Sequence, residues 1–478
     1  MGDFSEADGH LTAATEISRA TSPGGDVAFQ NGIHTPDLQA RRNRPRTFPY
    51  FSTLPYEVET EQRRQDDLAE ILKHLYIAVQ AGDFTPGAVH WTRELRSWLS
   101  LKFDPTKEQR IQLVNLYYEL ALAPGVEPSV AERFASMFMM LTKKKHYLKP
   151  VKELTLDWRP LFRELRLFVL PQESGLIQTT NLKRNPKTLN KLCQFAQWYF
   201  SPEETLNMLE EFLPYFTLSF SESAFVVVGL INLLVPSMPA PAERKDLAVQ
   251  KIMPTYFHLW ALINRSKSVD INFLDLFSRL AREGLPVAHV DFGEYGIFTK
   301  DQATLIFTAV LRLLEIPVGQ STSPYSPVVD LGAGMGLLLE RDPRKHPVSH
   351  HIARWIVMSL SPACLESKHS ILSLLENLIQ AIETFFHPSN SGSWTRTLAQ
   401  LVFYLADFFV MRWNREQKHE MEVPADRRLN AELKRRFVTC LKDVIFMGIY
   451  AKSGTAMSYS LSTLQALAYL EPDLILPG

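Results

Sequence analysis

From Glu61 onward this chain sets apolar residues three and four positions apart, and no segment of comparable length alternates apolar with polar residues. That spacing gathers side chains on one face of an α-helix, whereas a half-buried strand needs a step of two. Residues 368–409 show the unit in full. Ile371, Leu374, Leu375, Leu378, Ile379, Ile382 and Phe386 form one helical face, which must end at His387 because Pro388 disfavours helical geometry in the residue before it. Ser389, Asn390, Ser391 and Gly392 supply a turn, and Ser393 is placed to cap the next helix. Trp394, Leu398, Leu401, Val402, Leu405, Phe408 and Phe409 give that helix its buried face. The unit is a helical hairpin.

Further faces of this kind fill the chain. Leu68, Ile71, Leu72, Leu75, Tyr76 and Val79 make one, and after a turn at residues 82–86 come Trp91, Leu95, Trp98 and Leu99. Asp104-Pro105 predicts the start of a third helix, with Asp104 as its cap. Val130, Phe134, Met137, Phe138 and Leu141 make a fourth, with Lys143, Lys144 and Lys145 at its negative end. Asp157 and Asn185 open two more, and Ser201-Pro202-Glu203-Glu204 reads as a capping box. Ile252, Tyr256, Leu259, Trp260 and Ile263 are followed by Ile271, Leu274, Phe277 and Leu280, then by residues 298–314 and by Ile352, Trp355 and Ile356. Residues 412–428 read as a charged connector, and two closing helices follow over 429–450 and 455–470. Helix pairs recurring at roughly 35–50 residues predict an all-α fold, a HEAT- or armadillo-like α-solenoid of stacked helical hairpins.

Residues 1–50 lack this periodicity and are expected to be a disordered polar tail. Its cluster Arg41, Arg42, Arg44 and Arg46 reads either as a nuclear-import signal or as a solvated charge run. Residues 316–348, rich in Pro and Gly, predict a surface loop between the helical arrays 51–315 and 349–478. The chain has 51 Lys and Arg against 52 Asp and Glu, a balance that argues against nucleic acid or an anionic membrane as the main partner. Cys193, Cys364 and Cys440 lie far apart with no C-x-x-C pair, which fits a reducing compartment. The absence of a long apolar run or an apolar signal core points to a soluble intracellular chain.

Two motifs invite a chemical reading. Val328-Val329-Asp330-Leu331-Gly332-Ala333-Gly334-Met335-Gly336 resembles the glycine-rich turn of S-adenosylmethionine-dependent methyltransferases. That fold needs a strand before the glycines and a helix directly after them, and Arg341-Asp342-Pro343 interrupts any such helix, so a flexible loop is the reading taken. His346, His350 and His351 could suggest zinc, but Pro347 separates the first two and no cysteine or carboxylate completes a set, so a surface histidine cluster is expected. No catalytic, cofactor-binding or metal-ligating residue is assigned, no cofactor is implied, and the residues describe a non-enzymatic helical scaffold.

Several segments resemble one family, the giant single-chain HEAT-repeat proteasome activators of the bleomycin-sensitivity type. Phe386-His387-Pro388-Ser389-Asn390-Ser391-Gly392-Ser393-Trp394 is similar to that family's aromatic-His-Pro-Ser-Asn-x-Gly-x-Trp turn. Ile297-Phe298-Thr299 with Leu314-Glu315-Ile316-Pro317-Val318-Gly319 is similar to its Ile-Phe-Thr helix ending in Pro-Val-Gly. Trp158-Arg159-Pro160-Leu161, Val79-Gln80-Ala81-Gly82-Asp83 and Ala451-Lys452-Ser453-Gly454 resemble further family segments in the same order. The resemblance implies the N-terminal part of an activator that caps the end ring of the proteasome core particle and promotes gate opening and peptide hydrolysis without ATP or ubiquitin. It implies a nuclear and cytoplasmic protein linked to DNA repair. The family's acetylated-histone and inositol-phosphate sites, and its gate-opening tail, are expected outside this chain, whose Leu476-Pro477-Gly478 does not match that tail. A helical-repeat scaffold for another protein, or a methyltransferase, are the alternative readings.

Overall fold

In a computed structural model the described residues are 57–101, 103–143, 147–169, 185–216, 221–263, 266–316, 347–390, 392 and 394–476. They are helical, and the only β features among them are the isolated bridges Pro150–Leu154 and Gly293–Gly296. The expected tail, the Arg41–Arg46 cluster, Lys144, Lys145, the glycine motif at 328–336, His346 and the cap Ser393 lie outside the described residues. The chain forms two compact units, described one at a time below, which divide between Ser201 and Pro202.

The first unit contains α1 (Glu57–Gln80), α2 (Val89–Ser100), α3 (Lys107–Leu122), α4 (Pro128–Thr142), α5 (Arg159–Val169) and α6 (Pro186–Ala196). Its helices pair as α1 with α2, α3 with α4 and α5 with α6, while α2, α4 and α6 also pack in succession. The expected faces are the ones buried: Leu95 and Trp98 on α2, Val130, Phe134, Met137, Phe138 and Leu141 on α4, and Leu189, Leu192, Cys193 and Ala196 on α6. Asn185 caps α6 through its Oδ1, which accepts from the Lys187 amide at 3.0 Å. The cap of α3 differs from expectation. Thr106, not Asp104, holds it: Thr106 Oγ1 accepts from the Gln109 amide (3.2 Å) and Gln109 Oε1 from the Thr106 amide (2.9 Å), a reciprocal capping box. Asp104 is instead the counter-ion of the buried Arg110, at 3.0 Å.

The second unit contains α7 (Thr205–Phe212), α8 (Ser221–Leu234), α9 (Val249–Leu262), α10 (Lys267–Gly284), α11 (Lys300–Leu313), α12 (Val348–Ser359), α13 (Ile371–Ile382), α14 (Trp394–Gln417), α15 (Ala431–Gly448) and α16 (Gly454–Leu470). A 3₁₀ turn over Pro202–Glu204 follows Ser201, and α7 begins at Thr205. The even-numbered helices α8, α10, α12, α14 and α16 pack in sequence as one layer, and α13 packs on α15 in the other. Neighbours in the even layer run parallel. His351 and Arg354 of α12 meet Asp275 and Ser278 of α10, so contacts advance together along both helices. Gln400 and Asn414 of α14 meet Tyr459 and Tyr469 of α16 in the same sense. Parallel neighbours within a layer are what stacked antiparallel hairpins produce, and with the family match below the fold is of the HEAT-repeat kind. Because α10 and α12 pack directly on each other, the segment 317–346 between α11 and α12, outside the described residues, joins helices of a single array.

The hairpin at 368–409 stands as its spacing predicts, with one change at its second helix. Ser370 caps α13, and Leu375, Leu378, Ile379, Ile382 and Phe386 are buried. The turn closes with the Asn390 side-chain amide donating to the Thr384 carbonyl at 2.7 Å. Trp394 is only half-buried: it meets Phe385 edge-on with ring centroids 6.2 Å apart, and its ring lies so close over Gly392 that a Cβ there would sit 2.2 Å from it. A fully buried Trp would lose about 3–5 kcal/mol on truncation. Because the ring is only partly covered, Trp394→Ala should cost about 1–2 kcal/mol in urea unfolding, and a loss near the full-burial value would show that the ring closes over the turn in solution.

Candidate functional site: a buried arginine relay

The expected charged connector at 412–428 is exposed in part but carries three charged residues into the interior. Helix α14 continues to Gln417, and Arg412, Glu416 and Arg427 are all buried. Extending the α14 register explains why: Leu401, Leu405, Phe408, Arg412 and Glu416 step by 4, 3, 4 and 4 and so share one face. Arg412 donates to the Val357 and Leu360 carbonyls at the end of α12 (2.6 and 2.9 Å), to the Arg427 carbonyl (2.7 Å) and to Glu416 Oε1 (2.7 Å). The second Glu416 oxygen accepts from the Leu429 amide at 2.7 Å. Burial lowers the Arg412 pKa, and the Glu416 carboxylate acts in the opposite direction.

Arg427 carries the chain of donors further. Its guanidinium lies 5.0 Å from the centre of the Phe292 ring and donates to the carbonyls of Gly284, Leu285, Val287, Ala288 and Val290. These carbonyls lie at and just beyond the C-terminus of α10, where a helix leaves acceptors unpaired and favours positive charge. One arginine thus ties the end of α12, and through the backbone of Arg427 a second ties the end of α10.

The same device recurs at two more steps of the layer. Arg354 of α12 donates to Asp275 Oδ1 and Ser278 Oγ of α10, both at 2.6 Å. Arg279 of α10 donates to the Asn232 carbonyl of α8 at 2.7 Å, to the Asn232 side-chain oxygen, and to Ser237 Oγ at 2.6 Å. Asp275 pairs with both arginines, lying 3.3 Å from Arg279 Nε, and His351 Nδ1 is 3.0 Å from Asp275 Oδ1. Each arginine reaches back to the preceding even helix. At the last step, between α14 and α16, two tyrosine rungs replace it: the Gln400 side-chain amide donates to the Tyr459 hydroxyl (3.1 Å) and Tyr469 Oη to Asn414 Oδ1 (2.9 Å).

The arrangement is a scaffold rather than a reaction centre. A guanidinium presents donors in a fixed planar fork, so several bonds to one neighbour fix both spacing and rotation between helices. Of the histidines expected in a surface cluster, His346 lies outside the described residues, while His351 is buried and His350 half-buried in this layer, which corrects the expectation for these two. His351 is buried beside Asp275, and His350 meets the rings of Tyr404 and Phe408 edge-on, with centroids 5.3 and 4.9 Å away. The thiols are core groups as well: burial pushes Cys193 and Cys364 up, and Cys440 up to about 12. Among the described residues no set of three or more His, Cys, Asp or Glu could hold a metal ion, and no helix is long and apolar enough to cross a membrane. Periodicity alone missed the arginines because they are polar, although their register and the i, i+4 Arg–Glu spacing were visible.

Comparison with known proteins places the chain among relatives. The family model described as "Proteasome activator complex subunit 4, mid HEAT repeats region" matches residues 375–478, and that described as "Proteasome-substrate-size regulator, N-terminal" matches residues 13–87. Proteasome activator complex subunit 4 of Homo sapiens is 28% identical over 440 residues, covering 90% of this chain and 22% of the relative. Subunit 4B of Danio rerio is 28% identical over 438 residues with the same coverage. Proteasome activator BLM10 of Saccharomyces cerevisiae is 24% identical over 430 residues, covering 80% of this chain and 17% of the relative. The chain therefore spans about a fifth of the length of the relatives it matches.

Proposed function

We propose that the chain, which is similar to proteins named proteasome activators over most of its length, corresponds to the N-terminal helical-repeat part of such an activator, capping the end ring of the proteasome core particle. In this reading it acts without chemistry of its own. The arginine relay holds the spacing between successive helices of the second unit, and association of the activator with the ring promotes gate opening and peptide hydrolysis without ATP or ubiquitin. It works in nucleus and cytoplasm, where core particles are to be found.

The observation that carries the reading is the likeness to proteins named proteasome activators over 90% of the chain, rather than at one isolated motif. The structure adds a physical reason. A cap must keep its shape against a ring while the gate moves, and buried forks between successive repeats resist the sliding that would otherwise let a helical array flex. The test is affinity purification of the tagged chain from its own cells under native conditions, with ATP omitted. Core-particle ring subunits should be enriched with it. Recovery of a folded, soluble chain free of core-particle subunits would overturn the proposal.

A further inference from the structure

Where the even layer passes from α12 to α16, aromatic rings gather on the side of α14 that carries a carboxylate without a counter-ion. Phe403 lies 5.3 Å, centre to centre, from both Tyr404 and Tyr459, and Tyr404 lies 5.3 Å from His350. Asp407 stands one turn further along α14, four residues from Phe403 and three from Tyr404, so the three share a side of the helix. It falls between the rungs Gln400–Tyr459 and Asn414–Tyr469. All of these side chains except Phe408, which is buried, and Tyr469, which is exposed, are half-buried, so the strip is reachable from solvent.

Half-buried Asp407 differs from the buried acids of this unit. Asp270 faces Arg312 at 3.0 Å, Asp275 faces Arg354 at 2.6 Å, and Glu416 faces Arg412 at 2.7 Å. Among the described residues Asp407 makes no hydrogen bond and no ion pair, and burial by itself has raised its carboxyl to about 7. A carboxylate partly withdrawn from water, one helical turn from aromatic rings, is a place where an incoming cation gains twice, from the charge and from the aromatic quadrupoles. An apolar or anionic group would gain neither. Charge complementarity therefore selects the occupant.

We propose that Phe403, Tyr404, Asp407 and Tyr459 form a docking strip for one lysine or arginine side chain carried by an extended segment of a partner protein. The inference rests on this geometry and stands apart from the proteasome reading. Docking depends on pH. The titratable groups around Tyr404 are Asp407 on its own helix, Tyr459 on α16 and His350 on α12, and Tyr404 is itself held up at about 12, by burial first and then by Tyr459 and Asp407. The tyrosines stay neutral near pH 7, so Asp407 supplies the charge. Below its raised pKa the carboxyl is protonated and the attraction is lost; above it the strip binds.

The test uses the whole 478-residue chain and a fluorescein-labelled peptide, Gly-Ser-Gly-Lys-Gly-Ser-Gly, against the same peptide with norleucine for lysine, titrated into the millimolar range by anisotropy. The lysine peptide should saturate the native chain at about pH 8, bind up to about tenfold more weakly at about pH 6, and bind at least about tenfold more weakly to the Asp407→Asn variant. Norleucine should abolish binding. Equal binding of the two peptides, equal binding to Asp407→Asn, or no saturable binding of the lysine peptide would each overturn the proposal. Thermal unfolding supplies a ligand-free check. A carboxyl raised from its unfolded value to about 7 favours folding when protonated and loses that contribution as pH rises through the raised pKa. Asp407→Asn should therefore melt above the native chain at about pH 8, with the gap narrowing toward about pH 5, and a variant that melts lower at both would contradict the placement of Asp407.

Discussion

Arg412→Met should destabilise the chain by about 3–5 kcal/mol, because it leaves the Glu416 charge buried without its partner. It also strips donors from the carbonyls of Val357, Leu360 and Arg427, all in the interior. The methionine fills much of the arginine stem, so packing loss is the smaller part of the effect. Two consequences separate the terms. Arg412→Met with Glu416→Gln removes the unpaired charge while keeping an acceptor for the Leu429 amide, and should recover a substantial part of the loss. Hydrogen exchange should quicken first at the end of α12 and in residues 284–290, where the relay anchors backbone, before it quickens in α16. A loss of a few tenths of a kcal/mol in urea unfolding would mean that Arg412 is solvated and that the relay does not form.

Asp275→Ala should be comparably severe, at about 3–5 kcal/mol, for the opposite reason: it leaves two cations without their shared anion. Arg279 and Arg354 are both buried and both pair with Asp275, at 3.3 and 2.6 Å. Asp275→Asn preserves shape and one acceptor, so it should fall between the native chain and the alanine variant. Adding Arg354→Met to Asp275→Ala should cost less than the sum of the two single changes, since the second removes a charge already stranded by the first. Simple additivity in urea unfolding would show that the two residues do not meet.

The helices were legible because burial in a stacked array is periodic, and the period of Leu398, Leu401, Leu405 and Phe409 is that of a helix. The hairpin turn was legible for a local reason, the backbone limits of His387 and Gly392. The caps were half legible. Asp104-Pro105 drew attention from Thr106-x-x-Gln109, which is the better capping pattern and the one the structure uses. The interior of the even layer was the least legible part. Helix α10 was read as amphipathic through Ile271, Leu274, Phe277 and Leu280, yet Asn272, Asp275, Ser278 and Arg279 are buried too, because α8 and α12 flank it on both sides. Polar residues in such a helix look like a solvent face until their partners are known. Those partners lie far away in sequence: 47 residues separate Arg279 from Asn232, and 79 separate Arg354 from Asp275. Asp407 was hidden for the converse reason, since an acid on the flank of an apolar helix looks ordinary until its missing counter-ion is seen.

The arginine relay and the family likeness meet in the proposal that this array forms part of a cap on the proteasome core. Fluorogenic peptide hydrolysis by purified core particles, with ATP and ubiquitin absent, tests it most directly. An activator that carries this array together with the gate-opening tail should raise the rate in proportion to its concentration until the rings are occupied, and its Arg412→Met form should do so less well at temperatures where the relay has loosened. An unchanged rate at saturating amounts of folded native protein would contradict the account.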